Sequence, residues 1–401
     1  MFLGIIIALL LGVGSGIFTG LIPGIHVNLI AVLVLSLSAF LLKIADPLVI
    51  AVYIISLAIT HTFLDSIPSI YLGAPDEAQA LNVLPGHRLL NRGEGHNAIV
   101  YTLIGSFGAL ILSFILFPVF LISMEKLYPI VKDIMGYILI IIMAYMIIKD
   151  HGKWLKSLVL FLLAGILGLT VFSIPQLKQP LFPLLSGLFG FSILVVSLMQ
   201  KSKIPKQNHQ APLTISKKNI AKSVSAASGV GFIAAFLPGF GSSQAAIIAT
   251  NIVGDIGDEG FLSLIGGINT ANMVISIGTA YVLSKARNGA ILAVNELLGG
   301  VGFQEMILFL AVALVAGGIA VLLTLRISLV FSKYIVRVNY MAVVLGIIIF
   351  ITILTFVFDG FLGLVVLLVA TAIGLLASSW NIGKNHLMGC LILPVILYFI
   401  L

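Results

Sequence analysis

The first 42 residues of this chain contain no Lys, Arg, Asp or Glu, and neither do 97–124, 157–177, 179–200, 338–358 or 360–383. A helix needs about 20 apolar residues to cross a ~30 Å hydrocarbon core, and each run reaches that length. The whole chain is 60% hydrophobic and 9% charged, a composition outside the range of soluble globular domains. These runs constrain the fold to an all-α polytopic protein, multi-pass in the cell membrane and surrounded by membrane lipids. No basic residue precedes Lys43, so the first segment lacks the positive n-region of a signal peptide and reads as a retained helix. Cys390 stands alone, which excludes disulfides, paired thiols and thiolate metal sites. The net charge of +7 sits in short loops between apolar runs. Positive-inside sorting explains it, and nucleic acid is not an expected partner.

Six Lys and no acid lie between Lys201 and Lys222, which places that loop in the cytoplasm. Lys149, Lys153 and Lys156 mark a second cytoplasmic loop, and Arg326, Lys333 and Arg337 a third. The acidic loop with Asp255, Asp258 and Glu259 orients little and stays unassigned. Counting crossings back from these anchors puts the polar loop 73–96 inside and its counterpart 284–302 outside.

Two apolar stretches share one local grammar. Gly14 to Gly24 ends in Leu21-Ile22-Pro23-Gly24 and continues Ile25-His26-Val27-Asn28; Gly229 to Gly239 ends in Phe236-Leu237-Pro238-Gly239 and continues Phe240-Gly241-Ser242-Ser243-Gln244. A second pair of blocks follows in the same order, Thr60–Tyr71 aligning with Thr270–Tyr281. The chain thus divides into repeats at 1–200 and 223–401, joined by the basic linker 201–222. Four further apolar runs complete each half, at about 97–123, 134–148, 157–174 and 180–200, and at about 303–325, 338–358, 360–379 and 385–401. The loop bookkeeping gives the halves opposite orientations. Paired Gly/Pro-broken segments in two inverted halves are the sequence pointer to a transporter's binding site near the midplane. The broken helices are expected to be re-entrant: the short runs flanking Pro238 favour it, while the runs of about 20 residues around Pro23 allow either re-entry or two full crossings.

Pro ends a helix by lacking an N–H, and Gly allows the sharp turn. The helix that restarts presents free backbone N–H groups and the positive end of its dipole, a natural anion site. Pro23, Gly24, His26 and Asn28, with Pro238, Gly239, Gly241, Ser242, Ser243 and Gln244, are therefore candidate substrate-binding residues. The alternative for both breaks is a surface loop or a packing kink. Thr60, Asn269, Thr270 and Asn272 crowd the second pair of blocks and are further candidates, against a reading as helix–helix hydrogen bonding. Lys285 and Arg287 follow directly and offer anion attraction, or are ordinary loop charges. Asp65, with His61 one turn away, is the candidate for ion coupling, since a charge in the bilayer centre costs about 3 kcal/mol and needs a partner or cavity. Its alternative is a helix end near the headgroups, or a pair with Arg88 or Arg92. His87, Arg88, Arg92 and His96 read as a solvated loop.

No catalytic residues are identified. A phosphate-binding fingerprint is absent; Gly12, Gly14 and Gly16 alternate within a membrane helix, where small residues mean close packing. Ser15 and Ser242 have no evident base, and Asp255 and Asp258 sit in a loop. No metal site and no resident cofactor are expected, only a coupling Na⁺ or H⁺.

The segments Gly16–Gly24, Gly73-Ala74-Pro75-Asp76 onward to Pro85-Gly86-His87-Arg88 and Gly93-Glu94-Gly95, and Leu237-Pro238-Gly239-Phe240-Gly241 resemble the large membrane subunit of tripartite tricarboxylate transporters, the TctA-like family. This chain is a short, divergent match. The resemblance implies an inverted-repeat permease that takes up carboxylates with ion coupling, assisted by a small membrane subunit and an extracytoplasmic binding protein. The leading expectation is a secondary-active permease for a small organic anion, a carboxylate, bound between the two Pro-Gly breaks. The alternative is a polyprenyl-phosphate or other lipid-phosphate translocase, and a non-transporting membrane scaffold or receptor is the reading from another class.

Overall fold

The computed structural model describes residues 1–22, 27–72, 77–150, 152–200, 205–236, 242–283, 288–334 and 340–401, and no strand occurs among them. In the first half the helices are α1 Phe2–Leu21, α2 Val27–Ser36, α3 Ser38–Leu41, α4 Pro47–Leu64, α5 Ser66–Leu72, α6 Val83–Asn91, α7 Gly95–Ile115, α8 Phe117–Lys149, α9 Trp154–Phe172, α10 Leu181–Leu185 and α11 Ser192–Gln200. In the second they are α12 Lys217–Phe236, α13 Ser242–Val253, α14 Gly257–Leu283, α15 Gly289–Leu298, α16 Phe303–Tyr334, α17 Tyr340–Ser379 and α18 Gly389–Ile400. Short 3₁₀ turns at Glu77–Asn82 and Lys384–Met388 precede α6 and α18. Seven of the helical spans are long and apolar enough to cross a membrane. A helix satisfies its own backbone groups, which is the condition for a chain surrounded by hydrocarbon.

Local chemistry sets the ends. Asp46 Oδ1 accepts from Leu48 N at 2.8 Å, with Pro47 in the first turn of α4, the favoured N-cap and N1 pairing. Asn288 Oδ1 does the same for α15 through Ala290 N at 2.9 Å, and Gly299 closes that helix with φ 67°, a conformation open to glycine at a C-terminus. The apolar run expected over 97–123 is divided between α7 and α8. Pro118 in the first turn of α8 has no N–H to continue α7, so the chain restarts there. The 40-residue α17 breaks at Gly360, φ 62° and ψ −151°, matching the two separate runs expected there. Asp359 beside this break accepts from Lys178 N at 2.7 Å and Gln179 N at 2.8 Å, tying the α9–α10 loop to it.

α1 runs beside α4 in the same direction: Gly4 meets Val49, Gly12 meets Ser56, Gly16 meets Thr60 and Gly20 meets Leu64. A glycine or alanine every fourth residue (Gly4, Ala8, Gly12, Gly16, Gly20) strips one face of α1 nearly to backbone, so the helices close to dispersion contact. The second half repeats the relation. Ser223 Oγ donates to Gly260 O at 2.9 Å, Ala227 faces Gly267 and Gly231 faces Ala271, so α12 lies parallel to α14. Lys222 Nζ donates to Val253 O at 3.1 Å, joining the start of α12 to the end of α13. The chain therefore turns back between these two helices.

The halves then exchange helices. α7 packs on α14, with Gly105 against Ser263 O and Gly266 against Thr102 O, and α16 lies against α4 with Gly317 facing Phe63. The basic segments gather at one end of the molecule. From the linker, Asn208 N donates to Gly93 O at 2.7 Å, Gln207 Nε2 to Leu90 O at 3.1 Å, Thr214 Oγ1 to Glu259 Oε1 at 3.2 Å, and His209 Nδ1 lies 3.1 Å from Ser332 Oγ. Lys149 bonds Asn251, and Lys153 Nζ donates to Asn381 O at 2.9 Å. The described parts of the three basic regions and residues 77–96 share this end, as the charge count required. The acidic turn Asp255–Glu259, unassigned from sequence, lies there too. α5 ends here, where Tyr71 OH reaches Ser328 Oγ at 3.3 Å, whereas α14 starts here. α4–α5 and α14 thus run in opposite directions through the core.

Candidate functional site

The two polar blocks singled out from sequence meet each other. Pro68 cannot donate to Leu64, which leaves a joint between α4 and α5 at Asp65. The Asp65 side chain is 2% exposed there. Its Oδ2 accepts from Asn269 Nδ2 of α14 at 2.7 Å, and its Oδ1 accepts from Gln79 Nε2 at 2.8 Å. Asn82 Nδ2 donates in turn to Gln79 Oε1. Gln79 and Asn82 are both fully buried, and Asn82 Oδ1 has no partner among the described residues. One turn earlier on α4, Thr62 Oγ1 lies 3.2 Å from Thr270 Oγ1, while His61 Nδ1 lies 3.1 Å from Thr19 Oγ1 of α1. Thr102 of α7 donates to Ser66 Oγ at 3.3 Å. The result is a buried polar core with contributions from α1, α4, α5, α7, α14 and the 73–96 loop.

A carboxylate out of water costs several kcal/mol unless hydrogen-bonded, and bonds to an ionised group are the strong ones. Two side-chain amides, one from each half, supply donors to the two oxygens of Asp65. The sequence alternative of a pair with Arg88 is replaced by a different one: Arg88 donates to Asp258 Oδ1 at 2.6 Å. Nor does Asp65 lie at an exposed helix end.

The remaining sequence candidates are placed unevenly. Thr60 is fully buried against Gly16, inside the α1–α4 contact. Asn272 is half-buried on α14, where Gly231 of α12 packs. Asn28 of α2 packs against Gly289 at the start of α15. Ser242 is buried at the start of α13, and α13 packs on the Glu77–Asn82 turn. The second arm of each Pro-Gly segment thus rests on the polar-loop helix of the other half. Pro23, Gly24, His26, Pro238, Gly239, Gly241, Lys285 and Arg287 lie outside the described residues, as do the side chains of Ser243 and Gln244.

Gln79 and Asn82 were missed from sequence. Their amides sit in a stretch with Asp76, Glu77 and Arg88, which read as a solvated loop. The one available signal was Leu81, Val83 and Leu84 interleaved with them. His87 is a correction to the same reading. Its Nε2 is buried with no partner among the described residues, and burial lowers its pKa to about 4, so this imidazole is neutral. No group of three or more His, Cys, Asp or Glu able to hold a metal occurs among the described residues.

No solved structure matches this chain significantly. An uncharacterized protein of Methanocaldococcus jannaschii is 32% identical over 403 residues, covering 98% of both chains. The Tripartite tricarboxylate transporter TctA family model matches residues 6–389. With its apolar spans and its buried polar core, this multi-pass membrane protein belongs to the TctA family of transporters.

Proposed function

We propose that this chain is the secondary-active permease of a carboxylate transporter, binding its anion between the two Pro-Gly breaks and coupling a cation through Asp65. The observation that carries the reading is the bond from Asn269 to Asp65 at 2.7 Å. It joins a buried charge of one half to the aligned polar block of the other. Transporters built from inverted repeats place substrate and ion at such a junction. The parallel α1–α4 and α12–α14 pairs, and the opposed directions of α4 and α14, support reading 1–200 and 223–401 as inverted repeats joined by 201–222. The return of α13 beside α12 supports a re-entrant second hairpin.

In this scheme the restarted helices offer backbone amides to a carboxylate, with Asn28, Ser242, Ser243 and Gln244 beside them. Asp65 holds Na⁺ or H⁺, with His61 one turn away on α4. Binding one partner favours the other because their charges are opposite and the site is buried. A small membrane subunit and an extracytoplasmic binding protein are the expected partners.

The test is uptake of radiolabelled citrate and succinate into proteoliposomes under imposed Na⁺ and H⁺ gradients. Uptake driven by one gradient is the expected result. No uptake across a broad carboxylate panel, with binding of a polyprenyl phosphate instead, would replace this reading by lipid-phosphate translocation.

A further inference from the structure

At the end of the molecule that carries the linker, a cavity of about 660 Å³ opens between the two halves, within the ~300–1,000 Å³ range of small-molecule sites. Val83 and His87 line it from the first half; Thr250, Phe261, Lys384 and Asn385 line it from the second. Arg88, Asp255 and Asp258 also line it, and of the two carboxylates only Asp258 has a cationic partner among the described residues. Arg88 bonds Asp258, and the exposed Asp255 accepts from Gly257 N at 3.0 Å.

Lys384 is different. Its Nζ donates to Ser192 Oγ at 2.7 Å, and no carboxylate among the described residues forms an ion pair with it. Burial alone lowers its pKa to about 7, the behaviour of an ammonium withdrawn from water without a counter-ion. His87 also lines this space, and its buried Nε2 has no partner among the described residues. The cavity wall thus carries an ammonium without a counter-ion and an imidazole nitrogen without a partner among the described residues, both of which a carboxylate can hydrogen-bond. Charge-assisted bonds of this kind are about twice as strong as neutral ones.

We infer that this cavity is a second binding station for a small carboxylate on the linker side, with Lys384 as its cationic ligand and His87 as a hydrogen-bonding group. This rests on the permease reading and extends it. The cavity-wall residues Leu81 and Val83 flank Asn82, whose amide leads through Gln79 to Asp65. The cavity therefore adjoins the polar core that the transported anion leaves or approaches.

The experiment uses the full chain in proteoliposomes, with Asn385→Cys in a Cys390→Ala background. An impermeant maleimide is applied from the linker side, with citrate, succinate or inorganic phosphate as probe. Citrate should slow labelling of the introduced thiol. Lys384→Gln should weaken that protection about tenfold or more, the scale for truncating a buried charge partner, and Lys384→Arg should restore it. Gel filtration of the Lys384→Gln protein separates a binding defect from misfolding. If the parent takes up citrate while Lys384→Gln leaves protection and uptake unchanged, the inference fails and the permease reading stands. Protection by phosphate but not by either carboxylate overturns the ligand class. A parent that neither transports nor is protected overturns both.

Discussion

Asp65 shows how one residue's surroundings decide its worth. Its two oxygens take bonds from Gln79 and Asn269, so removing either donor takes a hydrogen bond away from a buried carboxylate. We expect Gln79→Ala to destabilise the protein by about 1.5–3 kcal/mol, the scale of a hydrogen bond to a charged group. Arg88→Ala removes a formal ion pair whose arginine side chain is 51% exposed, and such pairs contribute roughly 0–1 kcal/mol. Thermal denaturation in one detergent should therefore rank the neutral amide above the charged residue; the reverse ranking would contradict the buried network. Asp65→Asn turns an acceptor into a donor facing two amide donors. It should lower stability and abolish the ion dependence of uptake, read as the ratio of uptake with and without the gradient. The importance of Asp65 was legible, since a lone carboxylate in an apolar stretch demands a partner. Which partners it has was not, because Gln79 and Asn269 come from segments 14 and 204 residues away.

At the scale of the element, the glycines of α1 separate two roles that sequence lumps together. Gly12, Gly14 and Gly16 look equivalent in the chain. A Cβ on Gly12 would stand 2.5 Å from Tyr53 O, and one on Gly16 2.8 Å from Leu57 O, whereas one on Gly14 would meet nothing within 4 Å. Gly12→Val should therefore separate α1 from α4 and depress the yield of monodisperse protein, while Gly14→Val should behave as the parent in size-exclusion chromatography. Equal behaviour of the two variants would refute the α1–α4 packing. The helical period explains the difference: residues 12 and 16 share a face, and 14 lies on the opposite one. Close packing was readable from the small residues. The partner helix and its parallel direction were not.

For the whole molecule, the basic linker is the reference from which sidedness follows. It docks on the start of α7 and the end of α16 rather than hanging free. Cys390 is buried and is the chain's one cysteine, so single introduced thiols report cleanly once it is replaced by Ala. His209→Cys and Asp255→Cys should react with an impermeant reagent from the same side as each other, and Lys178→Cys and Glu296→Cys from the opposite side. Any exchange between these pairs would overturn the arrangement of loops.

Membrane residence, an all-helical multi-pass fold and the sharing of one end by the basic loops are written in the sequence. The reason is that hydrocarbon imposes a length on every crossing and charge biases every short loop. The exchange of α7 and α16 between the halves, the chain from Asn82 through Gln79 to Asp65, and the Lys384 ammonium at the cavity wall, bonded to Ser192 but without a counter-ion among the described residues, came from tertiary structure alone. Each depends on which helix faces fit together across hundreds of residues, and packing of that kind leaves no periodic mark on any one segment.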